Sequence, residues 1–431
     1  WLADQAPVSI ISMGNCQGRL VSEPKAEVKI LLDEEKKEAA RIFTIRNSNG
    51  LEARICDYGA ALTYMSVPDQ FGQFDDIVLA SEELVNLKYN FAYLGATIGR
   101  LAARTAGGSF PLNGKTVSLA RNHGKHQLHG GNTGFHNTRW KGYQGTSADG
   151  EFVDLTHTFP DGEDGYPGDM FVRVRYTLTD ANRLEIVTQA RCTEDCPINT
   201  TNHSYFNLEG HEAGSEGKDG IKSHRIRVFS NRYVAVDQDM IATGELLDVD
   251  GTALDLRQST PLKQGLYALR RNKTTNGGYD HTFVIDKKMS SDFGTPSIRS
   301  PSQDEGKKRP WNQCAKSSSI GVPETPLLMA AEVFLRKNGR LLRVYTNQPA
   351  VHIYTGNFLN GKQTGKGDIS YHQFGGLCLE CEELPNTLNL QDSNEDVDPA
   401  FTRTIVGPKR KEYESRIVFE FSAVSPALGE L

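Results

Sequence analysis

Two stretches of this sequence carry proton-exchanging side chains inside runs that read as strands. In Asn199-Thr200-Thr201-Asn202-His203-Ser204-Tyr205-Phe206-Asn207-Leu208, an extended backbone places His203, Tyr205 and Asn207 on one face. A histidine held among hydrogen-bonding neighbours can be tuned to titrate near neutrality and donate a proton, although a core histidine with both nitrogens satisfied has the same local sequence. The second stretch, Phe374-Gly375-Gly376-Leu377-Cys378-Leu379-Glu380-Cys381-Glu382-Glu383-Leu384-Pro385, has Glu380 at the centre of an apolar run. A partly desolvated glutamate on a rigid strand makes a general base; an edge strand with Glu380 and Glu382 on its solvated face fits the spacing equally well.

Other reactive residue types are less eloquent. His123, His126 and His129 recur every third residue, but Gly124 and Gly130-Gly131 imply a loop, and no Asp, Glu or Cys follows at ligand spacing. We therefore expect no metal site, and read His129 as offering a ring nitrogen to a polar ligand. Cys378 and Cys381 point to opposite faces of a strand, so they neither chelate zinc nor form a ready disulfide, and Cys192 and Cys196 have no better claim. Dinucleotide fingerprint, phosphate loop and Gly-x-Ser-x-Gly nucleophile elbow are all missing from the sequence. No nucleotide cofactor is expected.

The elements that would position these groups are strands. Ile42–Ile45 and Leu51–Ile55 flank Asn49-Gly50, read as a type I′ hairpin turn. Phe110–Leu112 and Lys115–Leu119 flank Asn113-Gly114, and Met170–Thr177 and Arg183–Ala190 flank a turn at Asp180-Ala181-Asn182. Helix signals are confined to a short start at Ser81–Val85. Many short strands with Gly and Asn punctuation predict an all-β sandwich rather than a parallel α/β sheet. Residues 1–38, with the charged run Asp33–Glu38, read as a tail of low order, and 426–431 as a C-terminal tail. Residues 39–425 read as one domain, interrupted but not divided by a Ser-, Pro- and Lys-rich disordered insertion at about 287–326.

Composition narrows the partner. The 431 residues carry 48 Lys and Arg against 54 Asp and Glu, a net charge of −6 without segregated halves, which argues against a nucleic-acid or anionic-membrane partner. No apolar run reaches the roughly 18 residues that cross a bilayer. Seven scattered cysteines suit a reducing compartment rather than a disulfide framework. The chain starts at Trp1 rather than Met, which leaves a preceding segment open.

Taken in order, these segments resemble the aldose 1-epimerase (galactose mutarotase) family. The matching blocks are Gly99-Arg100-Leu101-Ala102-Ala103-Arg104, Leu128-His129-Gly130-Gly131 with Gly134-Phe135, Asp161–Gly168, Thr201–Leu208, Gly278-Tyr279-Asp280-His281, Gln348-Pro349 with Tyr354–Phe358, and Cys378-Leu379-Glu380. The resemblance implies a large antiparallel β-supersandwich (galactose mutarotase-like) with few short helices and an open sugar cleft. It further implies cofactor-free interconversion of the α and β anomers of a free aldohexose, such as galactose or glucose, through the open-chain aldehyde. Glu380 matches the family's general base and His203 its acid; Arg104, His129 and Asp280 match sugar-binding positions, and Tyr205 falls close enough to line the same cleft.

Two positions depart from the family pattern: Ala103 stands where Asn commonly precedes the arginine, and His352 where Gln commonly precedes the Tyr-Thr-Gly-Asn block. His352 keeps a donor for the sugar, and we place it among the binding residues. The departures also keep a noncatalytic sugar-binding protein of the same fold in view, while the lack of a dedicated basic cluster disfavours a hexose 6-phosphate substrate. The sequons at Asn199 and Asn202 adjoin the acid, so cytoplasmic residence is easier to reconcile with catalysis. A monomer or weak dimer is expected.

Overall fold

A computed structural model describes residues 27–33, 38–291, 326–393, 397–410 and 412–425. Among them two large antiparallel sheets dominate. One has nine strands, with the hairpins Lys141–Ser147/Gly150–Phe159 and Met170–Leu178/Arg183–Cys192 on one side of the late strand Tyr413–Ala423, and Arg340–Thr346, Leu328–Phe334, Arg225–Val228 and Thr260–Pro261 on the other. The other has seven strands, in the order Ala242–Asp248, Arg232–Val236, Asp280–Val284, Ala350–Tyr354, Leu377–Glu382, Tyr205–Phe206 and Val78–Leu79.

Period-2 alternation decides what each face of the seven-stranded sheet does. Leu377, Leu379 and Cys381 of one strand, with Val351 and Ile353 of its neighbour, join the main hydrophobic core, together with Val172, Val174, Val344 and Phe419 of the nine-stranded sheet. Phe206 meets Phe419 with ring centroids 4.9 Å apart. The intervening residues, Glu380, Glu382 and His352, therefore face away from that core.

The hairpins predicted from Asn-Gly pairs form, but by different turns. Asn113 (φ 51°) and Gly114 (φ 76°) are both left-handed, as a type I′ turn demands. At Asn49-Gly50 only Gly50 is left-handed (φ 86°), because the Asn47 side-chain oxygen caps the amides of Asn49 and Leu51 and closes a wider loop. One boundary differs from that expected of the sequence. Within the expected N-terminal tail, Glu27–Asp33 is a strand paired with Glu38–Arg46, anchored by Leu31, which packs with Leu84 and Leu87; the charged run that suggested disorder falls at its end, and residues 1–26 lie outside the described residues. Within the expected insertion, Lys287–Ser291 is a helical turn whose buried Ser290 hydroxyl accepts a hydrogen bond from the Met329 amide; residues 292–325 and 426–431 lie outside the described residues.

Helices are short: Leu84–Lys88, Leu262–Leu269, Lys287–Ser291 and Thr387–Ser393 among the described residues. The first begins three residues after Ser81, whose hydroxyl accepts from the Glu83 amide. No helix of the described residues is long and apolar enough to cross a membrane.

One buried ion pair ties a peripheral hairpin to this framework. Lys366, between the strands Asn360–Thr364 and Ser370–His372, sends its ammonium inward to the Asp76 carboxylate and to the carbonyls of Thr63 (2.8 Å) and Val78 (2.6 Å). Asp76 Oδ1 in turn accepts from the amides of Met65 and Val78. Removing one partner of such a pair strands the other charge without solvent. Lys366→Met is expected to destabilise the protein by about 3–5 kcal/mol, measured by urea unfolding; a loss below about 1 kcal/mol would show that Asp76 is not stranded.

Candidate active site

All seven residues singled out in the sequence, Arg104, His129, His203, Tyr205, Asp280, His352 and Glu380, line one cleft of about 1180 Å³. The cleft lies on the polar face of the seven-stranded sheet. Its floor is set by register: Thr282 pairs with His352 and His352 with Glu380, so three adjacent strands deliver a row of side chains to one surface. Glu380 is 3% exposed on an interior strand, so the alternative of a solvated edge strand does not hold.

The wall comes from short paired segments. Arg104 pairs with Leu128 across a two-residue ribbon, and the His129 amide donates to the Ala103 carbonyl, which sets guanidinium and imidazole side by side. The turn after His129 requires glycine: Gly130 has φ 86°, and a Cβ there would lie 1.9 Å from the Gly99 carbonyl oxygen. Ala103 (φ 58°) and His129 (φ 51°) are themselves left-handed, which L-residues with a Cβ adopt at a cost.

His203 does not sit in a continuous strand. The segment breaks between Thr201–Asn202 and Tyr205–Phe206, and the His203 amide and carbonyl are held instead by Ala96 and Gly95. Its ring stacks on Tyr205 (centroids 5.1 Å, 29°), and its Nε2 lies 3.6 Å from Glu380 Oε1. Nδ1 meets the Cys378 thiol at 3.5 Å. Tyr205 contributes its ring rather than its hydroxyl, which donates to the Ala92 carbonyl. Asn207, expected on the same face, is turned away and bonds the Gly375 carbonyl.

Burial governs the electrostatics. It pushes the His203 imidazole down to about 3 and holds His129 well below the usual histidine range, so both are neutral near pH 7. It pushes the Glu380 carboxyl up to about 8, tempered by the His352 charge and reinforced by Glu382 and Asp280. His352 goes the other way: burial disfavours its charge, but the hydrogen bond from Nε2 to Asp280 Oδ1 (2.8 Å) and the surrounding carboxylates raise it to about 9. Burial also works against an ionised Asp280, yet the bond to His352, with Arg104 beyond, holds it below the ordinary carboxylate range. The acid–base pair thus contains one proton near neutrality, resting on Glu380.

The three-residue spacing of His123, His126 and His129 builds no joint site. All three line the cleft, but His123 is exposed, His126 Nδ1 accepts from the Gly107 amide, and of the three His129 is the one beside His203 and Glu380. Atoms of His129, His203 and Glu380 do approach within 4.8 Å of one another. The Arg104 guanidinium and the His352 imidazolium face the same volume, which favours a hydroxylated neutral ligand over a cation.

Glu382 is a site residue that sequence reasoning misses. It is 1% exposed, lines the cleft beside Glu380, and burial raises its carboxyl to about 7. Its even spacing from Glu380 is the signal that could have found it. Tyr93, edge-on to His129 at 4.7 Å, and Tyr354, edge-on to Tyr205 at 5.9 Å, complete the walls, while Phe91 (82% exposed) and Phe358 (53%) stand at the rim.

Residues 41–397 match the family model described as aldose 1-epimerase. Galactose mutarotase of Bos taurus is 34% identical over 375 residues, covering 87% of this chain and 92% of that protein. Aldose 1-epimerase of Escherichia coli K12 is 31% identical over 349 residues, 81% of this chain and 88% of that protein. Among solved structures, an aldose epimerase homologue from C. elegans superimposes with a TM-score of 0.69 at 25% identity, covering 90% of this chain and all of that one. Galactose 1-epimerase from Lactobacillus acidophilus gives the same TM-score at 21% identity, over 92% and 99% of the two chains.

Because asparagine tolerates the left-handed region better than alanine, Ala103→Asn is expected to raise stability by roughly 0.5–1 kcal/mol in urea unfolding. A decrease would show that the backbone at this position is not strained by its side chain.

Proposed function

The chain belongs to the aldose 1-epimerase family, and from that premise we propose that it interconverts the α and β anomers of a free aldohexose, with Glu380 and His203 exchanging the protons. The observation that carries the assignment is the 3.6 Å approach of His203 Nε2 to Glu380 Oε1 on the floor of a cleft large enough for a sugar. One group takes the proton of the C1 hydroxyl while the other protonates the ring oxygen O5, and the C1–O5 bond breaks to the aldehyde. Rotation about C1–C2 presents the other face of the carbonyl, and the two transfers run in reverse. The pair begins and ends with one proton. No electrons are transferred between reactants, so the chemistry needs no redox cofactor.

The resemblance assigns the base to Glu380 and the acid to His203, whereas burial, which penalises a charge on either group, rests the proton on Glu380. Both arrangements contain the same single proton and are connected by one short transfer. Titration of such a pair reports the pair, not one residue. Arg104, His129 and Asp280 supply charged and imidazole partners for the sugar hydroxyls, Tyr205 a wall against which His203 is stacked, and His352 the anchor of Asp280.

The working form we propose is a monomer or weak dimer. Cytoplasmic residence is supported by the Asn199 and Asn202 side chains, which are buried and hydrogen-bonded to Glu383 and Tyr176, so that a glycan attached to either during synthesis would have no room in the folded protein.

Polarimetry of freshly dissolved α-D-galactose and α-D-glucose tests the reading. Wild-type protein is expected to accelerate mutarotation, and Glu380→Gln and His203→Asn each to reduce kcat/KM by about 10²–10⁴-fold with the fold intact by circular dichroism. Near-wild-type rates in either variant would overturn the roles. In wild type, kcat/KM is expected to stay level through neutral pH, where the pair holds one proton, and to fall as pH rises through about 8, where Glu380 gives it up. A rate that instead climbs through pH 8 would mean that the ionised carboxylate alone is the active form.

A further inference from the structure

We propose that His352 is a positioning residue carried as an imidazolium in a ladder of side chains, Asp280–His352–Thr282, beside Glu380 and Glu382, and that its charge sets how tightly the neighbouring Glu380–His203 pair holds its proton. The inference rests on the acid–base reading above and deepens it.

The ladder follows from register and hydrogen counting. Asp280 and Thr282 alternate on the strand Asp280–Val284, His352 lies opposite Thr282 on Ala350–Tyr354, and Glu380 and Glu382 alternate on Leu377–Glu382. His352 Nε2 is 2.8 Å from Asp280 Oδ1, and Nδ1 is 2.8 Å from Thr282 Oγ1. Thr282 Oγ1 can accept from Nδ1–H while Asp280 Oδ1 accepts from Nε2–H, so a hydrogen on each ring nitrogen has its acceptor and the ring fits as a cation. Glu380 and Glu382, alternate residues of the next strand, bring two further buried carboxyls to the same face.

The surroundings agree with that count. From the adjacent strands His352 faces Asp280, Glu380 and Glu382; from the loops across the cleft it faces Arg104, His203 and His129, and the two histidines are neutral. His281, next to Asp280, is also held down by burial, to about 4. Three carboxyls therefore share two cations, Arg104 and His352. A glutamine at this position could make both hydrogen bonds of His352 but would remove one of those cations from beside Glu380.

The test is a set of titrations on wild type, His352→Gln and Glu382→Gln. Side-chain ¹⁵N–¹H correlation spectra of wild type, with His352 assigned by its loss in His352→Gln, are expected to show both ring nitrogens protonated at pH 7. Losing the cation should raise the Glu380 affinity for its proton, so the alkaline limb of kcat/KM moves to higher pH in His352→Gln, by about 1–3 units. Losing a carboxyl should move it to lower pH in Glu382→Gln. A neutral His352 ring at pH 7, or limbs that stay put while rates merely drop, would overturn the proposal. The carboxyl ¹³C titration of Glu380 reads the same shifts without turnover, so a protein that fails to catalyse mutarotation would sink the functional reading and still leave the ladder decided. If His352→Gln does not fold, the ring is assigned by exclusion among variants of the other cleft histidines, and Glu382→Gln supplies the opposing shift.

Discussion

A carboxyl on an interior strand, with little water to solvate its charge, is the constraint from which the rest of the cleft follows. Alternation along Leu377–Glu382 sends Leu377, Leu379 and Cys381 into the core and leaves Glu380 and Glu382 on the opposite face. Two desolvated carboxyls two residues apart, with Asp280 nearby, repel one another and resist ionisation. The site answers with Arg104 and His352, one delivered by a loop ribbon and the other by strand register. Reactivity here is thus a property of the sheet as much as of any one residue.

The loops bear a different cost. Ala103 and His129 occupy left-handed backbone, and Gly130 brings its chain against the Gly99 carbonyl where a Cβ has no room. Such conformations persist only where surrounding contacts over-determine them. Those contacts are present: Asp164 accepts from the amides of Asn132 and Thr133, fixing the turn that follows His129. Across the cleft, the buried Lys366 pins the 360–372 hairpin that carries rim residues Asn360, Lys362 and Gln363. Strained backbone on one wall and an ion pair behind the other fix the two sides of the cleft.

Much of this is legible in the amino-acid sequence, because it depends on short-range signals. Hairpins show themselves through turn residues, and the polar intrusions at His203 and Glu380 stand out against apolar runs. What stays hidden depends on neighbours in space. Parity along the strand puts Glu382 on the same face as Glu380, but spacing cannot tell a buried face from a solvated one, and an edge strand fits it equally well. The pairing of His352 with Asp280 spans 72 residues of chain and is fixed only by sheet register. Likewise Glu27–Asp33 reads as tail because its charged end is conspicuous, whereas its one inward anchor, Leu31, is visible only against Leu84 and Leu87.

The departure at His352 changes meaning in this light. Considered alone, a histidine in place of glutamine exchanges one hydrogen-bonding side chain for another. Considered with Asp280 and Thr282, it adds a charge at the point where charge matters most. Ring opening needs one group to hold a proton firmly enough to deliver it to O5 and another to accept one from O1, so the closer their proton affinities, the smaller the penalty for the arrangement that reacts. Burial alone drives the two apart, raising Glu380 and lowering His203. A cation beside Glu380 pulls its affinity back toward that of His203, and the Asp280 carboxylate and Thr282 hydroxyl on its two ring nitrogens are what keep that cation charged inside a desolvated cleft.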